Sequence, residues 1–307
     1  MNSSALEDDF WQVNYLIFLK VTNMNYLILY FIWPVTGLLA ALGNGFVMFV
    51  IYRYNRLHHP RFYFLFNLAC ADFISGITLV LLSVTRALNR ETYTVVLYSV
   101  GVFTILVSVA NILLISLDRL FAILKPFRYV KKMTTSTSFK LIACTWIVGL
   151  LLVVFEYTIP DTLLYTCPKS NIQDIRLNFL FPVITVYGMI VIVTVVHMKI
   201  FMIARRISLS MTSKAVSSAR RTELRAAKTT SFIVCGFAVC FTPLVAYHNL
   251  ICFCVPLSLD SIAAFSTILS LTASCNCALN PIIYSFRKDD IRKCILRALK
   301  KFKVCKL

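Results

Sequence analysis

Charged side chains are scarce in this chain. Only 14% of its 307 residues are Asp, Glu, Lys or Arg, whereas 59% are hydrophobic and the mean hydropathy is +0.79. A soluble domain of this size needs far more polar surface. The composition therefore excludes an ordinary soluble protein and predicts a membrane protein.

The signatures of several other classes are missing too. The sequence has no Gly-rich phosphate loop, zinc-finger spacing or catalytic-triad pattern, so we predict neither an enzyme nor an organic cofactor. The net charge of +18 comes from basic residues that flank apolar segments, and we predict no nucleic-acid partner. The eleven cysteines are scattered, which excludes a disulfide-rich secreted scaffold. The acidic start of the chain at residues 7–9 does not indicate a cleaved signal peptide.

Long apolar segments are what the sequence does contain. A membrane-spanning helix needs about 20 apolar residues. Seven segments meet that length: residues 26–51, 62–83, 94–124, 139–159, 177–203, 229–255 and 261–284. We predict an all-α fold, a seven-transmembrane helix bundle at residues 25–284 after an extracellular tail at residues 1–24.

A short amphipathic segment follows the seventh span. Phe286, Ile291, Ile295 and Leu299 fall on or near one helical face, with Lys and Arg elsewhere. This pattern is typical of a helix that lies along the membrane surface in contact with lipid. Residues 285–307 are therefore assigned to a cytoplasmic amphipathic helix and tail.

Basic residues are distributed unevenly between the two sides of the predicted bundle. Lys and Arg accumulate in cytoplasmic segments of membrane proteins. With the amino terminus outside, all but five of the 31 basic residues face inward; the five are Lys20, Arg86, Arg90, Lys169 and Arg176. This bias predicts a multi-pass plasma-membrane protein with an extracellular amino terminus and a cytoplasmic carboxyl terminus.

Polar motifs interrupt the apolar segments in a fixed order. They are Gly43-Asn44, Asn67 to Asp72, Asp118-Arg119-Leu120, Trp146, Cys240-Phe241-Thr242-Pro243, and Asn280-Pro281-Ile282-Ile283-Tyr284. In this order the motifs resemble those of the rhodopsin-like (class A) G-protein-coupled receptors, and the resemblance covers nearly the whole chain. It implies a receptor that binds an extracellular ligand and activates a heterotrimeric G protein.

The resemblance assigns an activation switch to the inner half of the bundle. Arg119 pairs with Asp118 in the off state, and such a pair suits a registry switch. Glu223 matches the family's acidic partner on the sixth span, or it is one solvated acid among basic residues. His197 stands where the family mostly has a Tyr that supports the active state. The alternative for His197 is a hydrogen-bonded interface residue.

Two prolines provide the predicted bending points. Pro243 removes a backbone donor and should kink the sixth span. Phe241 replaces the family's usual Trp and is either the packed sensor or an ordinary core aromatic. Pro281, within the motif that begins at Asn280, lets the seventh span unwind locally and turn Tyr284 inward.

Asp72 is a lone carboxylate near the middle of the membrane. In the family, the matching Asp binds a sodium ion in the inactive state. The resemblance places Ser108, Asn276 and Asn280 to supply the other oxygens. Because burial disfavours a charged carboxylate, a protonated Asp72 with no ion is the alternative.

The predicted ligand pocket is largely apolar. By spacing, Gly101 takes the position of the Asp that binds the ligand's ammonium group in amine receptors, which disfavours a biogenic amine held by that salt bridge. The candidate pocket residues are Gly101, Val102, Ile105, Phe181, Thr185, Phe241, His248 and Ser270. They favour a small, weakly polar or lipid-like ligand.

Departures from the family pattern narrow the subgroup. No Cys lies between Cys70 and Cys144, so the family's usual disulfide to the outer end of the third span is absent, and Met189 replaces the usual proline of the fifth. Melanocortin receptors resemble the chain in both absences. Other short motifs resemble adenosine, lysophospholipid and, in the inner loops, odorant receptors.

Several modification sites are predicted. Asn2 begins a glycosylation sequon, and Cys294 and Cys305 in the basic tail suit palmitoylation. Cys167, Cys252 and Cys254 all face the oxidising side in the predicted topology, where one pair of the three can form a disulfide whose connectivity the sequence leaves open. The tail beyond Ser285 has no Ser or Thr, so arrestin binding would depend on hydroxyls of the third inner loop.

Three alternatives stay open at this point. A chemosensory or odorant receptor has the same fold. A receptor-like protein that couples weakly would explain the departures at Phe241, at His197 and in the missing disulfide. A seven-span transporter or channel would need polar residues that continue along a path through several helices, whereas Asp72 stands alone near mid-membrane.

Overall fold

The computed structural model describes residues 31–158, 180–209, 231, 234–243, 271–272, 274–285 and 289–304. This part of the chain is helical and contains no strand. Its helices are α1 (Trp33–Arg53), α2 (Pro60–Ala87), α3 (Glu91–Leu124), α4 (Pro126–Lys132), α5 (Thr135–Thr158), α6 (Leu180–Leu209), α7 (Val234–Pro243), α8 (274–285) and α9 (Asp289–Val304), with a 3-10 turn at Asn55–Leu57.

The apolar segments coincide with helices of membrane length. Helices α1, α2, α3 and α5 each contain an apolar stretch long enough to cross a bilayer, and they begin and end within about seven residues of the predicted spans. The described parts of α6 and α7 with this character are shorter, Tyr187–Ile203 and Val234–Pro243. Helices α1, α2, α3, α5, α6, α7 and α8 follow the order of the seven predicted spans.

Helix α3 lies at the centre of the bundle. It packs against α2, α5 and α6, while α1 packs against α2 and α9 against α1. The core between them is apolar, with Leu65, Leu68 and Ile112 buried. Large apolar side chains such as Leu42 and Val239 are exposed on the outside of the bundle. An outer surface of this kind suits hydrocarbon rather than water.

Glycines let α1 and α2 cross in direct backbone contact. A Cβ atom added at Gly37 would lie 2.7 Å from the carbonyl oxygen of Gly76. A Cβ added at Gly76 would lie 2.7 Å from both Gly37 O and Ala41 N. Small residues at a crossing are a common way for membrane helices to approach closely.

A polar network ties three helices together inside the core. Trp146 Nε1 on α5 donates to Asn67 Oδ1 on α2 at 2.8 Å, and Asn67 Nδ2 donates to Asn111 Oδ1 on α3 at 2.6 Å. Asn111 Nδ2 then donates to Val107 O. These bonds satisfy buried amide groups that apolar surroundings would otherwise penalise.

The carboxyl end of α2 and the amino end of α3 meet in a tight turn. Asn89 has φ 50°, a left-handed conformation that Asn tolerates better than most residues, and it follows Leu88, the residue that caps α2. In the first turn of α3, Thr94 Oγ1 donates to Thr85 Oγ1 on α2 at 3.2 Å. The amino end of α3 is thus hydrogen-bonded to α2.

Helix α9 is amphipathic, as predicted, and it packs against other helices of the protein. Its buried side chains are Ile291, Cys294, Ile295 and Ala298. Its acidic residue Asp290 pairs with Arg56 at 3.0 Å and with Arg61 at 3.4 Å, next to the turn between α1 and α2. The apolar face of α9 is therefore turned toward the bundle.

Candidate functional site

A buried ion pair ends the apolar part of α3. Arg119 Nε donates to Asp118 Oδ2 at 2.9 Å, and Arg119 Nη2 contacts the same oxygen. Only 4% of Arg119 and 3% of Asp118 are exposed. The sequence motif is therefore a closed pair near the carboxyl end of α3, in a setting where charges interact strongly.

Helix α4 adds a third member to this pair. The Tyr129 hydroxyl donates to Asp118 Oδ1 at 2.9 Å and accepts from Arg119 Nη2 at 3.3 Å. Sequence reasoning missed both α4 and the role of Tyr129. The position of Pro126 was a possible signal, because proline is favoured in the first turn of a helix. We call Asp118, Arg119 and Tyr129 the inner lock.

A second polar group lies deeper in the bundle, around Asp72. Ser108 Oγ on α3 donates to Asp72 Oδ1 at 2.8 Å, and Asn280 Nδ2 on α8 donates to Asp72 Oδ2 at 2.6 Å. Asn276, on the same face of α8 as Asn280, is 2% exposed. The structure thus gathers Asp72, Ser108 and Asn280 in contact and buries Asn276 one turn away from Asn280 on α8.

Two amide oxygens near this group have no partner in the described part of the chain. They are Asn280 Oδ1 and Asn44 Oδ1, both buried. Asn44 Nδ2 donates to Cys277 O at 2.9 Å, so α1 is tied to α8 beside Asp72. A buried oxygen without a donor is costly unless a water molecule or cation satisfies it.

Of the two predicted bending points, Pro281 is buried in the core, whereas Pro243 is exposed. Phe241 is 3% exposed, and its ring centroid lies 4.7 Å from that of Phe237. Pro281 packs on Gly43 of α1, where an added Cβ would lie 3.0 Å from Pro281 Cγ. Tyr284 is fully buried, and its hydroxyl has no hydrogen-bond partner among the described residues.

His197 connects three spans near the inner lock. Its Nε2 lies 2.9 Å from Ser116 Oγ on α3, and its Nδ1 lies 3.3 Å from the Oγ of Ser231, in the span that continues as α7. The side chain is 8% exposed. In this structure His197 is a hydrogen-bonded residue at the interface between helices, which is one of its two interpretations from sequence.

Part of the predicted ligand pocket lies in the described residues. Val102 and Ile105 on α3 are half-buried against the core, and Phe241 is buried. Thr78 Cγ2 lies 3.8 Å from a Cβ placed on Gly101, and Gly101 O accepts from Thr104 Oγ1 at 3.0 Å. The surroundings of Gly101 in this part of the chain are apolar methyl groups and hydroxyls.

Cys294 is inaccessible, which weighs against its predicted palmitoylation. Its side chain is fully buried on the inward face of α9, and burial raises the pKa of its thiol, so an attached chain would have to displace packed side chains. The described cysteines, Cys70, Cys144, Cys235, Cys240, Cys275, Cys277 and Cys294, are free thiols.

Other predicted site residues lie outside the described positions. These are Asn2, Cys167, Glu223, His248, Cys252, Cys254, Ser270 and Cys305, together with the side chains of Phe181 and Thr185.

Comparison with known proteins agrees with this arrangement. Residues 43–284 match the family described as 7 transmembrane receptor (rhodopsin family). The chain belongs to this family. Among its relatives, trace amine-associated receptor 7b of Mus musculus is 27% identical over 310 residues, which cover 88% of this chain and 81% of the relative. Trace amine-associated receptor 8 of Homo sapiens is 29% identical over 302 residues, covering 87% of this chain and 84% of the relative.

Membership of the family confirms the main predictions from sequence. The protein is a rhodopsin-like G-protein-coupled receptor with a seven-transmembrane bundle, and it is a signalling receptor rather than an enzyme. It is a multi-pass plasma-membrane protein whose partners include a G protein and an extracellular ligand.

Proposed function

We propose that the inner lock is the off state of the receptor and that Arg119 couples it to the G protein. The observation that carries this proposal is the burial of Arg119 and Asp118 with Tyr129 as a shared partner. A buried ion pair is a poor source of net stability, but removing one partner strongly disturbs the other. A small movement that separates Arg119 from Asp118 would therefore change the energy of the inner half of the bundle strongly.

Ligand binding in the outer cavity would release the lock through the sixth and seventh spans. Pro243 ends the described part of α7, two residues beyond the buried Phe241. Because proline cannot donate the helical hydrogen bond, the span bends most easily there. An outward swing of its inner half would open a cavity for a G-protein helix against Arg119. In the seventh span, Pro281 would allow Tyr284 to turn toward the same cavity. In the sixth span, Glu223 would separate from Arg119.

We further propose a sodium ion at Asp72 in the off state, held by oxygens of Asp72, Ser108, Asn276 and Asn280. The unpartnered, buried amide oxygen of Asn280 supports it, since carboxylate, hydroxyl and amide oxygens are ligands for hard cations. A bound sodium ion would supply a positive charge that balances the buried carboxylate. The competing state is a protonated Asp72 that keeps its hydrogen bonds to Ser108 and Asn280.

For the ligand we propose a small, weakly polar or lipid-like molecule. The relatives are named for trace amines, and a cationic amine needs a carboxylate in the pocket. Gly101 offers none, and Val102, Ile105 and Phe241 beside it are apolar. A basic outer rim that includes Arg90, at the start of α3, would attract an anionic head group. An amine ligand is the second candidate, favoured only by the names of the relatives.

The proposed orientation places the amino terminus outside and the carboxyl terminus inside. Exposed basic residues of α4, such as Lys131, and of α9, such as Arg292, mark the inner side, where Lys and Arg accumulate. The three regions are then an outer tail at 1–24, the bundle at 25–284 and an inner tail at 285–307. Arrestin and lipids are proposed inner-side partners.

A nucleotide-exchange assay tests the coupling. Membranes carrying the receptor would be mixed with a panel of purified G proteins and screened with amines, nucleosides, lysophospholipids, odorants and peptides. We expect a ligand-dependent rise in exchange that Arg119→Ala abolishes and that Arg128→Ala, an exposed arginine on α4, preserves. Exchange that survives Arg119→Ala would contradict the proposed role of Arg119.

A further inference from the structure

A line of side-chain hydrogen bonds crosses three spans one turn from the inner lock. It runs from Ser231, just before α7, through His197 on α6 to Ser116 on α3. Ser116 Oγ continues the line to the carbonyl oxygen of Ile112 at 2.7 Å. We call Ser116, His197 and Ser231 the polar bracket.

The bonding partners determine the direction of each hydrogen bond in the bracket. Ser116 has one hydroxyl hydrogen, and Ile112 O can only accept, so this hydrogen points to Ile112. Ser116 Oγ must then accept from the Nε2–H of His197 at 2.9 Å. A neutral imidazole that carries its proton on Nε2 can accept at Nδ1 from the Ser231 hydroxyl, 3.3 Å away. In this tautomer His197 connects Ser116 to Ser231 through both of its ring nitrogens.

The apolar surroundings make the hydrogen bonds of the bracket sensitive to small movements of its three residues. Ser116 and His197 are buried, and Val196, Ile200, Leu120 and Ile123 form an apolar cluster beside them. Water competes poorly for polar groups in such a place, so each bond holds until its partner moves away. The bonds of the inner lock given above join α3 to α4, and the bracket reaches the sixth span.

The imidazole explains how one residue bonds to both neighbours. Its two nitrogen atoms point in different directions, and each contacts a hydroxyl on a different span. A tyrosine, which the family mostly has here, offers a single oxygen at the end of a longer side chain. This chain therefore has a connection from α3 through α6 to the sixth span that a phenol would not reproduce with the same geometry.

We propose that the polar bracket positions the inner end of the sixth span against α3 and α6, and that its bonds break when the receptor turns on. Ser231 and Ser116 are then positioning residues that act on Arg119 through the placement of the sixth span. This inference rests on the proposed coupling mechanism and adds a specific off-state restraint to it. Loss of the Ser231–His197 bond would shift the receptor toward the on state without ligand.

The test measures ligand-free receptor in two independent ways. The first is nucleotide exchange on a G protein, normalised to surface level, for wild type, Ser231→Ala, His197→Leu and the double variant. Hydrogen bonds between membrane helices are weak on average, so we expect Ser231→Ala to raise exchange about threefold. The double variant should match His197→Leu alone, because both changes remove the same bond. Thr194→Ala, which removes an exposed hydroxyl on α6, is the control and should leave exchange unchanged.

The second readout does not involve a G protein. Spin labels on Arg128→Cys in α4 and on the exposed Cys235 in α7, with other reactive cysteines replaced, report the distance between the two helices. We expect Ser231→Ala to increase the population with long distances. An unchanged distance distribution in a normally folded variant would overturn the bracket. Longer distances without exchange in any variant, wild type included, would support the bracket and contradict the proposed coupling.

Discussion

The α1–α2 crossing and the joint between α3, α6 and the sixth span are built in opposite ways. At the crossing, Gly37 and Gly76 bring two backbones into direct contact, and backbone atoms cannot move aside. At the joint, side chains of Ser116, His197 and Ser231 make the connection through hydrogen bonds. Side chains rotate and such bonds reform easily, so the crossing is suited to stay fixed while the joint is suited to open.

This difference gives the bundle a rigid part and an adjustable part. The network of Trp146, Asn67 and Asn111 extends the rigid part from α2 to α5. Asp72 is shared, because it bonds to Ser108 on α3 and to Asn280 on α8. In the proposed mechanism, a ligand that acts through the sixth and seventh spans would move them against this fixed frame. The following variants examine that division.

Filling the α1–α2 crossing should have the largest effect. In Gly76→Ala, the new methyl group would lie 2.7 Å from two backbone atoms, and overpacking of this kind costs about 1–3 kcal/mol. We expect a clear drop in the thermal stability of the purified receptor and in its surface level. Gly188→Ala is the matched control, because no atom of the described residues lies within 4 Å of its added methyl. Equal melting temperatures for the two variants would contradict a rigid crossing.

Removing the charge at Asp72 examines the shared position. If sodium stabilises the off state there, ligand-free nucleotide exchange should fall when sodium replaces a large organic cation in the buffer. We expect a fall of about fivefold, which is the lower end of typical allosteric coupling. Asp72→Asn should abolish this dependence, since it removes the anionic ligand while keeping a similar shape. Nucleotide exchange measured in a sodium titration checks it. A sodium response that persists in the variant would place the ion elsewhere.

Removing the Tyr129 hydroxyl examines the inner lock. Tyr129→Phe takes one hydrogen bond from Asp118 and one from Arg119 but leaves the ion pair itself. We expect ligand-free exchange to rise about threefold, because the ion pair stays intact and the net loss should lie near the lower end of the roughly 0.5–1.5 kcal/mol that a typical hydrogen bond contributes. Tyr52→Phe, on the exposed face of α1, should change nothing. A fall in exchange would indicate that Tyr129 supports the on state.

The contact between α9 and the first inner turn should matter least. Asp290 pairs with two partly exposed arginines, Arg56 and Arg61. Exposed ion pairs typically contribute about 0–1 kcal/mol. We expect Asp290→Asn to lower the melting temperature by only a few degrees, with Lys293→Gln, an exposed residue of α9, as control. A loss comparable to that of Gly76→Ala would mean that the pair carries far more of the α9 contact than its exposure suggests.

The spans and the motifs could be predicted from sequence, whereas their tertiary partners could not. A bilayer imposes a minimum apolar length, so the ends of α1, α2, α3 and α5 fell close to the predicted ones. Helix α4 has seven residues and no apolar repeat, which leaves only Pro126 as a signal. The bonds of Tyr129 depend on how α4 folds back on α3, and a sequence read in one dimension does not contain that distance.

Two residues illustrate the limit most clearly. Cys294 lies on the apolar face of α9, and the pattern reveals the face but not whether lipid or protein covers it; the structure places the bundle core there. His197 was recognised as a departure from the family, yet its two partners come from spans 81 and 34 residues away in the chain. Pairings of this kind become visible only once the helices are packed.

The hydrogen bond between Thr94 and Thr85 has a practical consequence for making this receptor. Neither hydroxyl changes with redox potential, so the joint between the carboxyl end of α2 and the amino end of α3 forms equally well in reducing and in oxidising surroundings. Thiol-rich media, such as bacterial cytosol or cell-free extracts, therefore leave this joint intact during synthesis.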